Sequence, residues 1–105
     1  MAGDKGVVEL LVWVLYDISD NAKRSRVAKH CKQAGLIRVQ KSAFLGQLER
    51  NRFDELSEMC REEIDEDKDS LYLFPFCEED FKKIKVHGQG FDRKLVSDDI
   101  LQQFF

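Results

Sequence analysis

A chain of 105 residues, 43% apolar and 35% charged, has enough apolar side chains for one core and too little length to set a cofactor domain beside a substrate domain. Its longest apolar run, Leu10 to Tyr16, is far shorter than a bilayer span, and the N-terminus lacks the basic region, apolar stretch and small-residue cleavage site of a secretory leader, so a cytoplasmic protein is expected. The formal net charge of −3 excludes a uniformly basic nucleic-acid binder, which leaves the distribution of charge to decide what the chain can hold.

Residues 7–16 (VVELLVWVLY) are almost continuously apolar, the pattern of a central strand buried on both faces. The run ends at Asp17-Ile18-Ser19-Asp20-Asn21, where capping residues open a helix with either Ser19 or Asp20 as N-cap. Val27, Cys31 and Ala34 form its apolar stripe, and Gly35 suits the left-handed position just past its end. Leu36 to Gln40 and Ser42 to Gln47 read as two short strands of a bent hairpin, with Gly46 marking a bulge or the strand's end. A second helix over Glu49 to Asp65 places Phe53, Leu56, Cys60 and Ile64 on one face, and the acidic stretch Glu62 to Asp69 closes it with a turn. Ser70 to Cys77 reads as a fourth strand, in which Pro75 demands an edge or a strand end because it has no N–H for the ladder.

An acidic linker and a short extended segment, Ile84 to His87, lead to a tail over residues 91–105. Ser97 can cap a last helical turn there, and Ile100, Leu101, Phe104 and Phe105 need cover from the chain's own core or from another chain. The order β-α-β-β-α-β is that of the ferredoxin-like sandwich, an α+β fold with both helices on one sheet face and the other face needing a cover. A domain over residues 1–90 with an additional C-terminal strand or tail over 91–105 is expected.

Cys31 and Cys60 fall on the apolar faces of the two helices, no cysteine pair has CxxC spacing, and the count of three is odd, which favours buried reduced thiols over a zinc site or a disulfide. The charge is segregated. Between Asn21 and Arg52 nine basic residues (Lys23, Arg24, Arg26, Lys29, Lys32, Arg38, Lys41, Arg50 and Arg52) face one acid, Glu49, for a local charge of +8 against −11 elsewhere. A polyanion responds to such a local face, although solvated helix surfaces would give the same pattern. Arg24, Arg26, Arg38 and Lys41 are the candidate phosphate contacts, arginine gripping phosphate with two donors and lysine as a point charge.

Asp17 stands at the carboxyl end of the first strand, where a carboxylate is held rigidly and can point into a cleft. One carboxylate is a poor metal site, but a two-fold axis beside it would bring a second from another copy, and two facing carboxylates accept a proton or a divalent cation between them. Mg²⁺ suits such a set, taking one or two carboxylates and completing its shell with water and phosphate oxygens. Asp17 fits equally the start of a turn or a helix cap. His30 reads as a surface residue, and Gly88-Gln89-Gly90 as a turn.

Tyr16-Asp17-Ile18-Ser19-Asp20 followed by Lys23, Arg24 and Arg26, then Gly35, then Arg38-Val39-Gln40-Lys41-Ser42-Ala43-Phe44, and finally Asp69, Ser70 and Pro75, together resemble the CRISPR-associated endoribonuclease family, the small partner of the CRISPR spacer integrase. The resemblance covers roughly residues 8–90; the first strand begins later than is usual for the family, and the tail matches none of its motifs. It implies a symmetric homodimer in which Asp17 of each copy binds Mg²⁺ for phosphodiester cleavage of single-stranded RNA or double-stranded DNA, with Ser19, Asp20 and Ser42 as accessory positions. It implies equally a non-catalytic scaffold that bridges two integrase dimers and holds duplex DNA by its backbone. A toxin-type ribonuclease of the same fold is a third reading.

Overall fold

The computed structural model describes residues 9–85, 87 and 88, and its elements run β1 (Glu9–Asp17), α1 (Asn21–Gln33), β2 (Ile37–Gln40), β3 (Ala43–Glu49), α2 (Arg50–Glu63), β4 (Ser70–Phe76) and α3 (Glu78–Lys82). The strands form a single sheet in the order β2-β3-β1-β4, every neighbouring pair antiparallel. The apolar run at the start of the chain thus becomes an inner strand, and Pro75 lies on the edge strand β4, opposite Val12.

Alternation along β1 sorts its side chains into two cores. Val12, Val14 and Tyr16 turn to one face and pack with Val27, Ala28 and Cys31 of α1, Leu56 and Cys60 of α2, and Leu36, Phe44 and Leu48. Leu11, Trp13 and Leu15 turn to the other face, where Val39, Ala43 and Leu45 are buried and Phe76 and Ile84 pack alongside. Both helices therefore cover one side of the sheet. The opposite side carries a smaller apolar layer and, on β4, two exposed aromatic rings, Tyr72 (54%) and Phe74 (43%).

Helix α1 ends as its sequence predicts. Gly35 adopts φ +93°, the Leu36 N–H donates to the Cys31 carbonyl and the Gly35 N–H to the Lys32 carbonyl, each at 3.0 Å. This is a Schellman stop, and it lays Leu36 onto β3. Gly46 marks neither a bulge nor a strand end. It sits inside β3 opposite Val12, where a side chain would collide with Leu36, while the irregular register lies in β2, between Arg38 and Gln40.

The expected acidic linker after β4 is the short helix α3, and no strand forms at Ile84 and Lys85. Valines 7 and 8, which the sequence placed in the first strand, and the whole tail from 91 to 105 lie outside the described residues. Among the described residues no helix is long and apolar enough to cross a membrane.

Candidate nucleic-acid interface at the end of the first strand

Asp17 is the exposed last residue of β1, opposite Ser70 on β4. Because Tyr16 belongs to the helix-side core, strand alternation assigns Asp17 to the opposite side of the sheet. The loop that follows is tied down residue by residue. Ile18 is buried, and its carbonyl accepts from Arg24 Nη1 at 3.3 Å. The Ser19 N–H points to Asp69 Oδ1 at 3.5 Å. Asp20 is the N-cap of α1, its Oδ2 accepting from the Lys23 N–H at 2.9 Å, so neither Ser19 nor Asp17 fills that role. Asp17 is left as a carboxylate on a fixed backbone with no capping duty.

Beside this strand end, on the helix side, Tyr16, Asn21, Arg24, Ser25, Arg38 and Lys41 line a cleft of about 240 Å³. Three of these six residues are cationic and none is acidic. Asn21 and Ser25 are one helical turn apart on α1, and Arg24 shares their face. Arg38 pairs with Phe44 across the β2–β3 ladder, which puts both on the same side of the sheet, and its guanidinium carbon lies 5.1 Å from the centre of the Phe44 ring. Its Nε is buried and has no hydrogen-bond partner among the described residues. Burial pushes the Tyr16 hydroxyl up from its ordinary pKa of 10.0, and the Arg38 cation beside it works against that shift. The Tyr16 hydroxyl donates to the Lys41 carbonyl at 3.5 Å, joining the cleft wall to the β2–β3 turn. A partly buried guanidinium with an unpaired Nε among the described residues, an exposed guanidinium and an ammonium converge on one hollow, the kind of donor set that suits an anion.

Arg26 does not join that hollow. Its Nε meets Glu63 Oε1 at 2.9 Å, and His30 Nε2 meets Glu63 Oε2 at 2.9 Å, so one carboxylate of α2 clips two basic residues of α1. His30 is consequently half-buried between the helices rather than a free surface residue. Those two neighbours, His30 first and Arg26 second, hold the Glu63 carboxyl below its ordinary range. Half of the Arg26 side chain stays in solvent, within reach of a ligand that tracks α1. Ser42 contributes its backbone, its carbonyl accepting from the Tyr16 N–H at 3.0 Å to extend the β1–β3 ladder. Phe44 is wholly buried and belongs to the core.

The structure thus gathers Arg24, Arg38 and Lys41 in one cleft beside the strand end that carries Asp17, and sequence reasoning missed Tyr16, Asn21 and Ser25 as cleft walls, Glu63 as the clip and Asp69 as the partner of Ser19. The spacing of Asn21 and Ser25 around Arg24 was a usable signal; the reach of Glu63 and Asp69 to α1 and to the Ser19 loop was not readable without the fold. Among the described residues no group of three or more His, Cys, Asp or Glu side chains is placed to hold a metal ion. Asp17 by itself offers one exposed carboxylate, so a Mg²⁺ ion there would need a second donor from outside the described residues, as from another copy of the chain.

The family model for CRISPR associated protein Cas2 matches residues 10–84, from the start of β1 to the segment after α3. A Korarchaeum cryptofilum protein, CRISPR-associated endoribonuclease Cas2, is 37% identical over 81 residues, covering 77% of this chain and 87% of its own length. A Thermoproteus tenax protein, a CRISPR-associated endonuclease Cas1/endonuclease Cas2 fusion, is 40% identical over 53 residues, 50% of this chain and 20% of the fusion. A crystal structure of a Cas2 protein superposes with a TM-score of 0.66 at 27% identity, covering 86% of this chain and 97% of the other. A strand ending in an aspartate whose carboxylate has no partner among the described residues, a cationic cleft beside it and these similarities lead to one conclusion: the chain belongs to the Cas2 family of CRISPR-associated proteins.

Proposed function

We propose that this protein is a homodimeric, Mg²⁺-dependent endonuclease of RNA or duplex DNA that works with the CRISPR spacer integrase. The observation that carries the reading is the pairing of Asp17, a carboxylate with no partner among the described residues, with a hollow walled by Arg24, Arg38 and Lys41 at the same strand end. The three cations bind and orient a phosphate backbone, a kind of contact that carries no sequence information. Arg24 also holds the Ile18 carbonyl, so a phosphate-binding residue steadies the backbone next to Asp17. Asp17 and its counterpart in a second copy hold the ion. When bound, the ion supplies an activated water and neutralises charge on the phosphorus.

Pairing of two copies is supported by the sheet. Its strand order β2-β3-β1-β4, with both helices on one face, leaves the other face to be covered. On that face Tyr72 and Phe74 stack at 6.1 Å on the edge strand, a patch that water does not favour. Asp17 lies on the same side, so two copies meeting there bring their carboxylates toward one axis.

The Asp17→Asn variant tests the reading. It keeps the shape of the side chain and is expected to lower Mg²⁺-dependent cleavage by about a hundredfold, with dimerisation and duplex binding unchanged. Cleavage at the wild-type rate would remove Asp17 from the chemistry. A scaffold function is the second reading, favoured by the Thermoproteus tenax fusion, in which a Cas1 and a Cas2 portion share one chain. Under it the Asp17→Asn protein still assembles with the integrase and supports spacer integration; loss of integration in a correctly folded variant counts against it.

A further inference from the structure

The carboxylate of Asp69 has two attachments in different parts of the chain. Its Oδ2 accepts from the Asp65 N–H at 2.9 Å, and the Asp69 N–H donates to the Asp65 carbonyl at 2.7 Å, which closes the connection from α2 to β4 on itself. The Asp67 N–H adds a third internal bond, to Asp65 Oδ1 at 3.0 Å. These bonds close the turn without using the strand end. The other oxygen of Asp69, Oδ1, faces out of the turn to the Ser19 N–H at 3.5 Å. The next residue along, Ser70, is the ladder partner of Asp17. A single side chain thus adjoins the backbone opposite Asp17 and reaches the amide two residues beyond it.

We propose that Asp69 is a positioning residue for Asp17. It transmits the rigidity of the α2–β4 turn to the loop in which the catalytic carboxylate begins, and it does so through an acceptor that no neutral side chain reproduces. Asparagine offers one acceptor oxygen for two N–H donors and turns its own NH₂ toward the second of them. Reacting groups must be held to within about 0.5 Å for full effect, so a loop released at Ser19 costs rate without costing affinity. The contact is long in the free protein, and bonds that order a catalytic group commonly tighten when substrate is in place. The Arg24 contact to the Ile18 carbonyl restrains the same loop from α1, so Asp69 and Arg24 hold it at neighbouring residues. The proposal rests on the reading of Asp17 as the catalytic carboxylate.

The test compares wild type, Asp69→Glu, Asp69→Asn and Asp17→Asn by steady-state cleavage and by the ¹H–¹⁵N spectrum and exchange rate of the Ser19 amide. Ser19 exchange is expected to rise and kcat to fall together in the order wild type, Glu, Asn. In the Asn variant kcat drops about tenfold, KM stays within about twofold, and amides of β3 are unmoved. The Glu variant keeps two acceptor oxygens on a longer stem and preserves the comparison should the Asn variant fold poorly. A fall in kcat with Ser19 unchanged, or a freed Ser19 amide with kcat intact while Asp17→Asn is inactive, overturns the proposal. An Asp17→Asn protein as active as wild type sinks the catalytic reading instead, and Ser19 exchange then decides separately whether Asp69 fixes the loop.

Discussion

A side chain at Gly46 would place its first carbon 2.8 Å from Leu36 Cδ2 and 3.2 Å from Leu36 Cα, and the second of these is backbone that cannot swing aside. The closeness follows from two neighbouring decisions, the Schellman stop that lays Leu36 across β3 and the β1–β3 register that sets Gly46 opposite Val12. Gly46→Ala is therefore expected to destabilise the protein by about 1–3 kcal/mol, read as a drop in thermal midpoint with the fold retained. Glycine was legible at this position, its reason was not: the chain alone does not say that Leu36 approaches from another element. At Asp20 the opposite holds. A cap is a local bond to an amide three residues on, and the sequence showed a capping residue at the right place. It did not choose between Ser19 and Asp20, because both are good caps by residue type and only the structure shows the Asp20 carboxylate on the Lys23 N–H.

At the scale of elements, α1 and α2 are joined by two kinds of contact. Val27, Ala28, Cys31, Leu56 and Cys60 make an apolar seam, within which the neighbouring Cys60 thiol and burial push the Cys31 thiol far above its ordinary range and keep it unreactive. At the rim, Glu63 clips Arg26 and His30. The Glu63 carboxyl is held below its ordinary value of 4.5, chiefly by His30, so its contribution to stability is fully present above that value and is lost as pH falls through the lowered native one. Glu63→Gln is expected to melt at a lower temperature than wild type near neutral pH and to lose less on acidification, so that the two curves of melting temperature against pH converge on the acid side. Parallel curves would show that the clip adds nothing. Both helix stripes were legible from apolar spacing, whereas the clip joins residues more than thirty positions apart and no local pattern announces it.

For the whole molecule the decisive quantity is the segregation of charge. A chain with net charge −3 concentrates +8 between Asn21 and Arg52, and folding draws three of those cations, Arg24, Arg38 and Lys41, into one hollow while Glu63 occupies Arg26. Binding to duplex DNA is expected to weaken steeply with salt, and Arg38→Ala is expected to reduce the slope of log affinity against log salt by about one, uniformly across sequences. An unchanged slope would remove Arg38 from the contact set. The cleft and Asp17 lie on opposite sides of the same strand end, so a ligand that uses both must curve around it.

The element order from β1 to β4, the glycine stop of α1, the inner place of β1 and the edge place of Pro75 were determined by the sequence itself, because each follows from contacts or steric limits spanning a few residues. Which cations meet was decided only in three dimensions. Arg24 and Arg26 are two positions apart on α1, about 200° around its axis, and so face different neighbours. Arg38 enters the cleft because the β2–β3 ladder turns it to the side of Phe44, and Asp69 reaches Ser19 because Asp17 and Ser70 share a rung of the sheet. These juxtapositions depend on strand register and helix rotation, which are fixed by packing of the two cores rather than by any property of the residues taken one at a time.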